Sequence, residues 1–241
     1  MEKVILVTGS SRGIGKEIAI LLAENGGKIV VNYANNEKEA NDTVEQIKNS
    51  GGTAIAFKAD VSKREQVTAL FDKAIEHYGR VDVLINNAGI MITKLLNETS
   101  EDDFIKQFDV NVKGTFNTLQ EAFSRLSNNG IIINFSSSTV KMMLPSYALY
   151  SATKAAVEQM TRVFSKEIGR GISVNAIAPG PTNTELFLNG KSEDFIKRLV
   201  SLNAFNRLAE PSDIAKVVHF LASDNSKWIS GQVIGVNGAM V

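Results

Sequence analysis

Short apolar runs recur along the chain at intervals that leave room for a helix between them: VILVT at 4–8, KIVVN at 28–32, AIAFK at 54–58, VDVLIN at 81–86, IIINFS at 131–136, ISVNAI at 172–177 and QVIGVN at 232–237. Each is rich in Val and Ile and lacks the polar alternation of a half-exposed strand, the pattern of a parallel sheet covered on both faces. The segments between them change period. In the third, Val67, Leu70, Phe71, Ala74 and Ile75 fall on one helical face with polar residues opposite. Glycines close the periodic runs in ENGG at 24–27, NSGG at 49–52, HYG at 77–79 and NNG at 128–130, where helices end most easily. The alternation predicts one α/β domain over 1–241: a doubly wound, seven-stranded parallel sheet with helices on both faces and right-handed crossovers.

Composition narrows the partners. Hydrophobic residues make up 44% of the chain, enough for a sizeable core. Lys plus Arg and Asp plus Glu both total 26, so no net field draws the chain to nucleic acid or to an anionic membrane. The absence of cysteine removes disulfides, thiolate nucleophiles and Cys-ligated metals, and His77 and His219 stand alone. The opening MEKVILVTGS reads neither as a signal peptide nor as a bilayer span, which sets a cytoplasmic expectation.

Candidate chemistry starts in TGSSRGIG at 8–15, between the first strand and the first helical run. Gly9 suits the tight turn, Gly13 lets backbone approach a pyrophosphate, and Gly15 lets the helix pack on the sheet. Ser11, Arg12 and Ile14 lie in the same turn, and the free N–H groups of the helix start face an anion. The plain alternative is a glycine-rich connection without a ligand. An NAD-selective site sets an acid about 20 residues further on. Here Asn32 takes that place and Glu37 lies too far along, so nothing there repels a 2′-phosphate. Arg12 offers a guanidinium that matches phosphate oxygens, or else is a solvated surface residue. The balance favours NADP(H) over NAD(H).

In YALYSATKAA at 147–156, Tyr150 and Lys154 lie four residues apart, on one face if the segment is helical. A phenol is a poor base near neutral pH unless positive charge favours its phenolate, and Lys154 is placed to supply that charge. The Gly-x-x-x-Gly-x-Gly turn together with Tyr-x-x-x-Lys resembles the short-chain dehydrogenase/reductase family, with its Rossmann fold. The resemblance runs through nearly the whole chain: Asp60-Val61 after the third strand, NNAG at 86–89 after the fourth, Asn111, SSS at 136–138 after the fifth, and Pro179-Gly180 after the sixth.

The resemblance implies a catalytic tetrad. Tyr150 is the acid/base; Lys154 lowers its pKa and bonds the nicotinamide ribose; Ser137, 13 residues before the tyrosine, stabilises charge on the substrate oxygen; and the backbone of Asn111 holds a water in a proton relay. Cofactor contacts are implied at Asn86, Ala88, Gly89, Thr182 and Thr184, the last on the nicotinamide carboxamide. A helical substrate lid is expected over about 184–208. Leu186, Phe187, Leu188, Met142, Met143, Leu144, Met91 and Ile92 suggest an apolar pocket, and Tyr147 a wall of it. No metal is implied. The activity expected is reduction of a ketone to an alcohol with NADPH, by a homotetramer joined through the tyrosine-bearing helix and the helix before the fifth strand. A 3-oxoacyl-[acyl carrier protein] reductase is the alternative. NNAG is followed by Ile90-Met91-Ile92 rather than Thr-Arg-Asp, and Asn128 and Asn129 replace basic residues, although Arg170 matches a basic carrier-contact position. A non-catalytic dinucleotide sensor is the alternative from another class.

Overall fold

The computed structural model describes residues 3–241. The chain order is β1 (Val4–Val7), α1 (Gly13–Glu24), β2 (Lys28–Tyr33), α2 (Glu37–Asn49), β3 (Thr53–Lys58), α3 (Arg64–Tyr78), β4 (Val83–Asn86), α4 (Glu101–Phe108), a π-helical turn (Asp109–Lys113) and α5 (Gly114–Arg125). Then follow β5 (Ile131–Phe135), α6 (Thr139–Met142), α7 (Ala148–Glu167), β6 (Ser173–Pro179), α8 (Glu185–Leu188), α9 (Glu193–Val200), α10 (Pro211–Leu221) and β7 (Val233–Val236). All seven expected strands form, in the order β3-β2-β1-β4-β5-β6-β7, and every pairing is parallel.

Why the strands read as unbroken apolar runs is visible in the two cores. Successive side chains on a strand point to opposite faces. Ile5, Val7, Ile29, Val31, Ile131 and Ile133 therefore pack under α1, α2 and α10, whereas Leu6, Val30, Leu84 and Ile132 pack under α3, α5 and α7. Both faces are buried, and both sets are apolar.

Beyond β3 the chain crosses back over β1 to lay down β4 on its other side. At that reversal the loops leaving β1 and β4 diverge, opening a crevice at the carboxyl ends of the strands. The glycine turn, Asp60-Val61, NNAG, SSS and Pro179-Gly180 each stand at or just after the carboxyl end of a strand and so lie at this end. Gly26, Gly51 and Gly79 follow α1, α2 and α3 in the left-handed region as expected, whereas α5 stops at Arg125 on an extended Leu126, ahead of NNG at 128–130. The segment from Glu101 to Arg125, in contrast, is two helices joined by the π-helical turn at Asn111, an irregularity that apolar spacing does not announce.

Candidate active site

The glycine turn is jammed against the loop after β4. Gly9 has φ +61°, and a Cβ there would sit 2.8 Å from Ala88 Cα; one on Gly15 would sit 2.5 Å from the Gly9 carbonyl. The Thr8 hydroxyl accepts from the N–H groups of Asn87 (3.0 Å) and Ala88 (3.1 Å), and Asn87 Nδ2 donates to the carbonyls of Thr8 (3.0 Å) and Gly9 (2.8 Å). The two loops form one rigid lip. Helix α1 starts at Gly13 with no side-chain cap and no acidic residue in its first turn, which leaves its first N–H groups free for an anion. These bare glycines and uncapped donors form a cradle of the shape a dinucleotide pyrophosphate needs.

At two expected cofactor contacts, Asn32 and Asn86, the side chains are engaged inside the protein. Asn32 is buried: its Oδ1 accepts from Gly9 N–H (3.1 Å) and its Nδ2 donates to the Ala59 carbonyl (2.9 Å). Its side chain braces the turn from below. Asn86 is likewise buried, donating to Asn134 Oδ1 (2.8 Å). Its neighbour Asn87 lines the cavity instead. Asp60 Oδ1 accepts from Ser62 N–H (2.9 Å) at the end of β3. Val61 is packed so closely on Gly114 that a Cβ there would lie 2.6 Å from Val61 Cγ2.

Across the crevice, α7 presents Tyr150 and Lys154 one turn apart, both buried. Lys154 Nζ donates to the Phe135 carbonyl (2.9 Å) and lies 5.8 Å from the centre of the Tyr150 ring. The Ser137 hydroxyl acts on the Tyr150 phenol in the direction that favours its ionised form, and the Thr139 hydroxyl donates to Ser137 Oγ (3.0 Å). Asn111 completes the group from the π-helical turn. Its Oδ1 accepts from Ile90 N–H, its Nδ2 donates to the Ile90 carbonyl and to Thr153 Oγ1, and its own carbonyl accepts from Thr115 Oγ1. A Cβ on Gly89 would come 3.2 Å from Asn111 Oδ1 and 3.4 Å from Lys154 Nζ, so a glycine here keeps the space between them clear. The structure thus brings together all four tetrad residues.

Burial, opposed by the Ser137 hydroxyl, pushes the Tyr150 hydroxyl up to about 12, and burial pushes Lys154 down to about 8. Loss of hydration disfavours phenolate and ammonium alike, and the phenolate loses more than its neighbours return. A neutral, buried phenol is a proton donor rather than a base, and at pH 7 the lysine below pH 8 still carries its charge.

The cavity in front of Tyr150 is walled by Met91, Met142, Leu144, Tyr147, Leu186, Phe187 and Leu199, with Ser137, Thr139, Lys154, Pro179, Gly180, Thr182 and Thr184 on its polar side. Leu188, Met143 and Ile92 do not line it, and Met143 projects outward, 83% exposed, at φ +51°. Leu199, Thr139 and Asn87 were missed in the sequence. Leu199 is the single buried residue of α9, and only the fold of the lid turns it inward. The segment expected as a lid, about 184–208, carries α8 and α9, and Thr184 caps α8 by accepting from Phe187 N–H (3.3 Å). Arg12 forms an ion pair at 2.7 Å with Glu185, the first residue of α8. Arg170 donates to the carbonyls of Leu126 (2.7 Å), Ala122 (3.1 Å) and Phe123 (2.6 Å), capping the end of α5. Among the described residues, no His, Asp and Glu group could hold a metal ion, and no helix is long and apolar enough to cross a membrane.

Residues 9–240 match the family model described as enoyl-(acyl carrier protein) reductase. A short-chain type dehydrogenase/reductase of Picea abies is 43% identical over 250 residues, covering 99% of this chain and 92% of that one. The chain belongs to the short-chain dehydrogenase/reductase family. Within this family of oxidoreductases, the hydroxynaphthalene reductase-like protein Arp2 of Metarhizium majus is 41% identical, with 99% of this chain and 95% of that one covered. Among solved structures, the angucycline C-6 ketoreductase LanV with bound NADP superposes with a TM-score of 0.93 at 36% identity, covering 99% of this chain and 95% of that one.

Proposed function

We propose that this protein is an NADPH-dependent carbonyl reductase that turns a ketone into an alcohol, with Tyr150 as proton donor. The observation that carries the reading is the buried Ser137–Tyr150–Lys154 group at the inner end of an apolar cavity, beside a glycine cradle at the point where the strand order reverses. In this reading the cradle, Thr182 and Thr184 hold NADPH, which supplies the hydride. The Ser137 hydroxyl bonds the substrate oxygen. Tyr150 releases its proton to that oxygen as negative charge forms there. Lys154 keeps a positive charge behind the phenol and grips the nicotinamide ribose, and Asn111 opens the way for the proton to be replaced.

NADPH rather than NADH is supported by the lack of a carboxylate at the end of β2, by Arg12 in the cradle, and by the NADP-bound ketoreductase of matching fold. A substrate with a fused aromatic body fits the sulfur- and ring-lined cavity and accords with the hydroxynaphthalene and angucycline names of the relatives. A carrier-bound acyl chain is disfavoured, because Arg170 spends its guanidinium on the end of α5. We also propose a homotetramer, supported by the apolar residues Phe116, Phe123 and Val163 exposed on α5 and α7.

The test is NADPH consumption against fused-ring ketones, simple ketones and 3-oxoacyl thioesters. Tyr150→Phe should lower the rate on the best substrate by about 10²–10⁴-fold, the usual span for a general acid, with NADPH still bound. Full activity in that variant would remove Tyr150 from the role.

A further inference from the structure

The end of β2 offers no acid to the cofactor's adenosine ribose, yet a carboxylate does reach the cradle from another direction. Glu185, the first residue of α8, lies 2.7 Å from Arg12 Nη1, and Arg12 is the residue immediately before α1. The ion pair runs from the glycine turn to the lid. The two elements are close here by construction: a Cβ on Gly13 would meet Thr184 Cγ2 at 3.5 Å. Both side chains are open to solvent, 61% and 68% exposed, so neither is locked in place by packing and either can be drawn away. Among the described residues, this is the one hydrogen bond of the Arg12 guanidinium.

We infer that Glu185 is a specificity-determining residue that tempers the preference for NADPH by competing with the 2′-phosphate for Arg12. The inference rests on the proposed grip of Arg12 on that phosphate. A guanidinium shared with a carboxylate must release it, or hold two anions side by side, when a phosphate arrives. Either costs binding energy that NADH, with a neutral 2′-hydroxyl, does not lose. The lid thus carries the acid that the second strand lacks. Because the pair is exposed, its strength is that of a surface ion pair and weakens with salt.

The experiment is direct binding of NADPH and of NADH to the whole protein by calorimetry, for wild type, Glu185→Gln, Arg12→Ala and the double variant. Glu185→Gln should tighten NADPH by about 1.5- to 5-fold at low salt, the span expected for one exposed ion pair, leave NADH unchanged, and lose most of that gain in 0.5 M salt, where the Debye length falls below about 5 Å. Arg12→Ala should weaken NADPH alone, and in that background Glu185→Gln should have no further effect. If Arg12→Ala weakens NADPH but Glu185→Gln changes nothing, or tightens both cofactors equally, the competition is refuted while the Arg12 grip stands. If Arg12→Ala leaves NADPH binding unaltered, the grip is absent and the inference falls with it.

Discussion

At the scale of single residues, the site is organised by what burial does to two ionisable groups. Tyr150 is held neutral with a hydroxyl pushed up to about 12, and Lys154 is pushed down to about 8. The sign for catalysis follows. In the direction of reduction the phenol is charged with its proton across the whole neutral range. The ammonium of Lys154 is present below its pKa and is lost as pH rises through it. The kcat/KM for reduction is therefore expected to be level through neutrality and to fall above about pH 8, with the loss assigned to Lys154. Initial rates from pH 6 to 10 at saturating NADPH and low ketone check this, and a profile flat to pH 10 would separate catalysis from the lysine charge. The pair itself was legible from its four-residue spacing. The direction of the phenol shift was not, because it depends on how much water the surrounding loops exclude.

At the scale of elements, the glycine turn was legible because its chemistry is local: strand, Gly-rich turn and helix follow one another in the chain. What presses on the turn was not. The Asn87 amide that braces the turn and crowds Gly15 comes from a loop some 70 residues further along. Gly15→Ala would force its Cβ into backbone, an overpacking that costs about 1–3 kcal/mol. Its melting temperature should fall, by roughly 2–4 °C for each kcal/mol in a domain of this size, and NADPH binding should weaken with it. Thermal unfolding and calorimetric titration of the same sample check both. Asn32 teaches the complementary lesson. Its place in β2 is legible, but on a strand the face a side chain takes decides its job, and the Asn32 amide meets the Gly9 N–H and the Ala59 carbonyl.

At the scale of the whole molecule, the exposed rings matter most. Phe123 is half exposed on α5 beside Phe164 of α7, their ring centres 6.3 Å apart, and Phe116 and Val163 extend the same apolar surface. Burying such side chains between copies is worth about 1.5–3 kcal/mol each when complete, so the proposed tetramer should use this face. Light scattering at micromolar concentration is expected to give a tetramer, and Phe123→Glu should shift it to smaller species by placing a charge in the interface. A wild-type monomer would refute the assembly.

The sequence by itself determined the fold class and the seven strands and marked the glycine turn and the Tyr150–Lys154 spacing, because strand burial and short-range motifs act over a few residues; Ser137 and Asn111 entered through the family resemblance. Only the tertiary structure decided that Asn87 rather than Asn86 lines the cavity, that Leu199 closes it from the lid, that Arg170 caps α5, and that Glu185 faces Arg12 across 173 residues of chain. These pairings join segments whose meeting is set by sheet order and by which face each side chain takes, and neither quantity is written in the local pattern of any one segment.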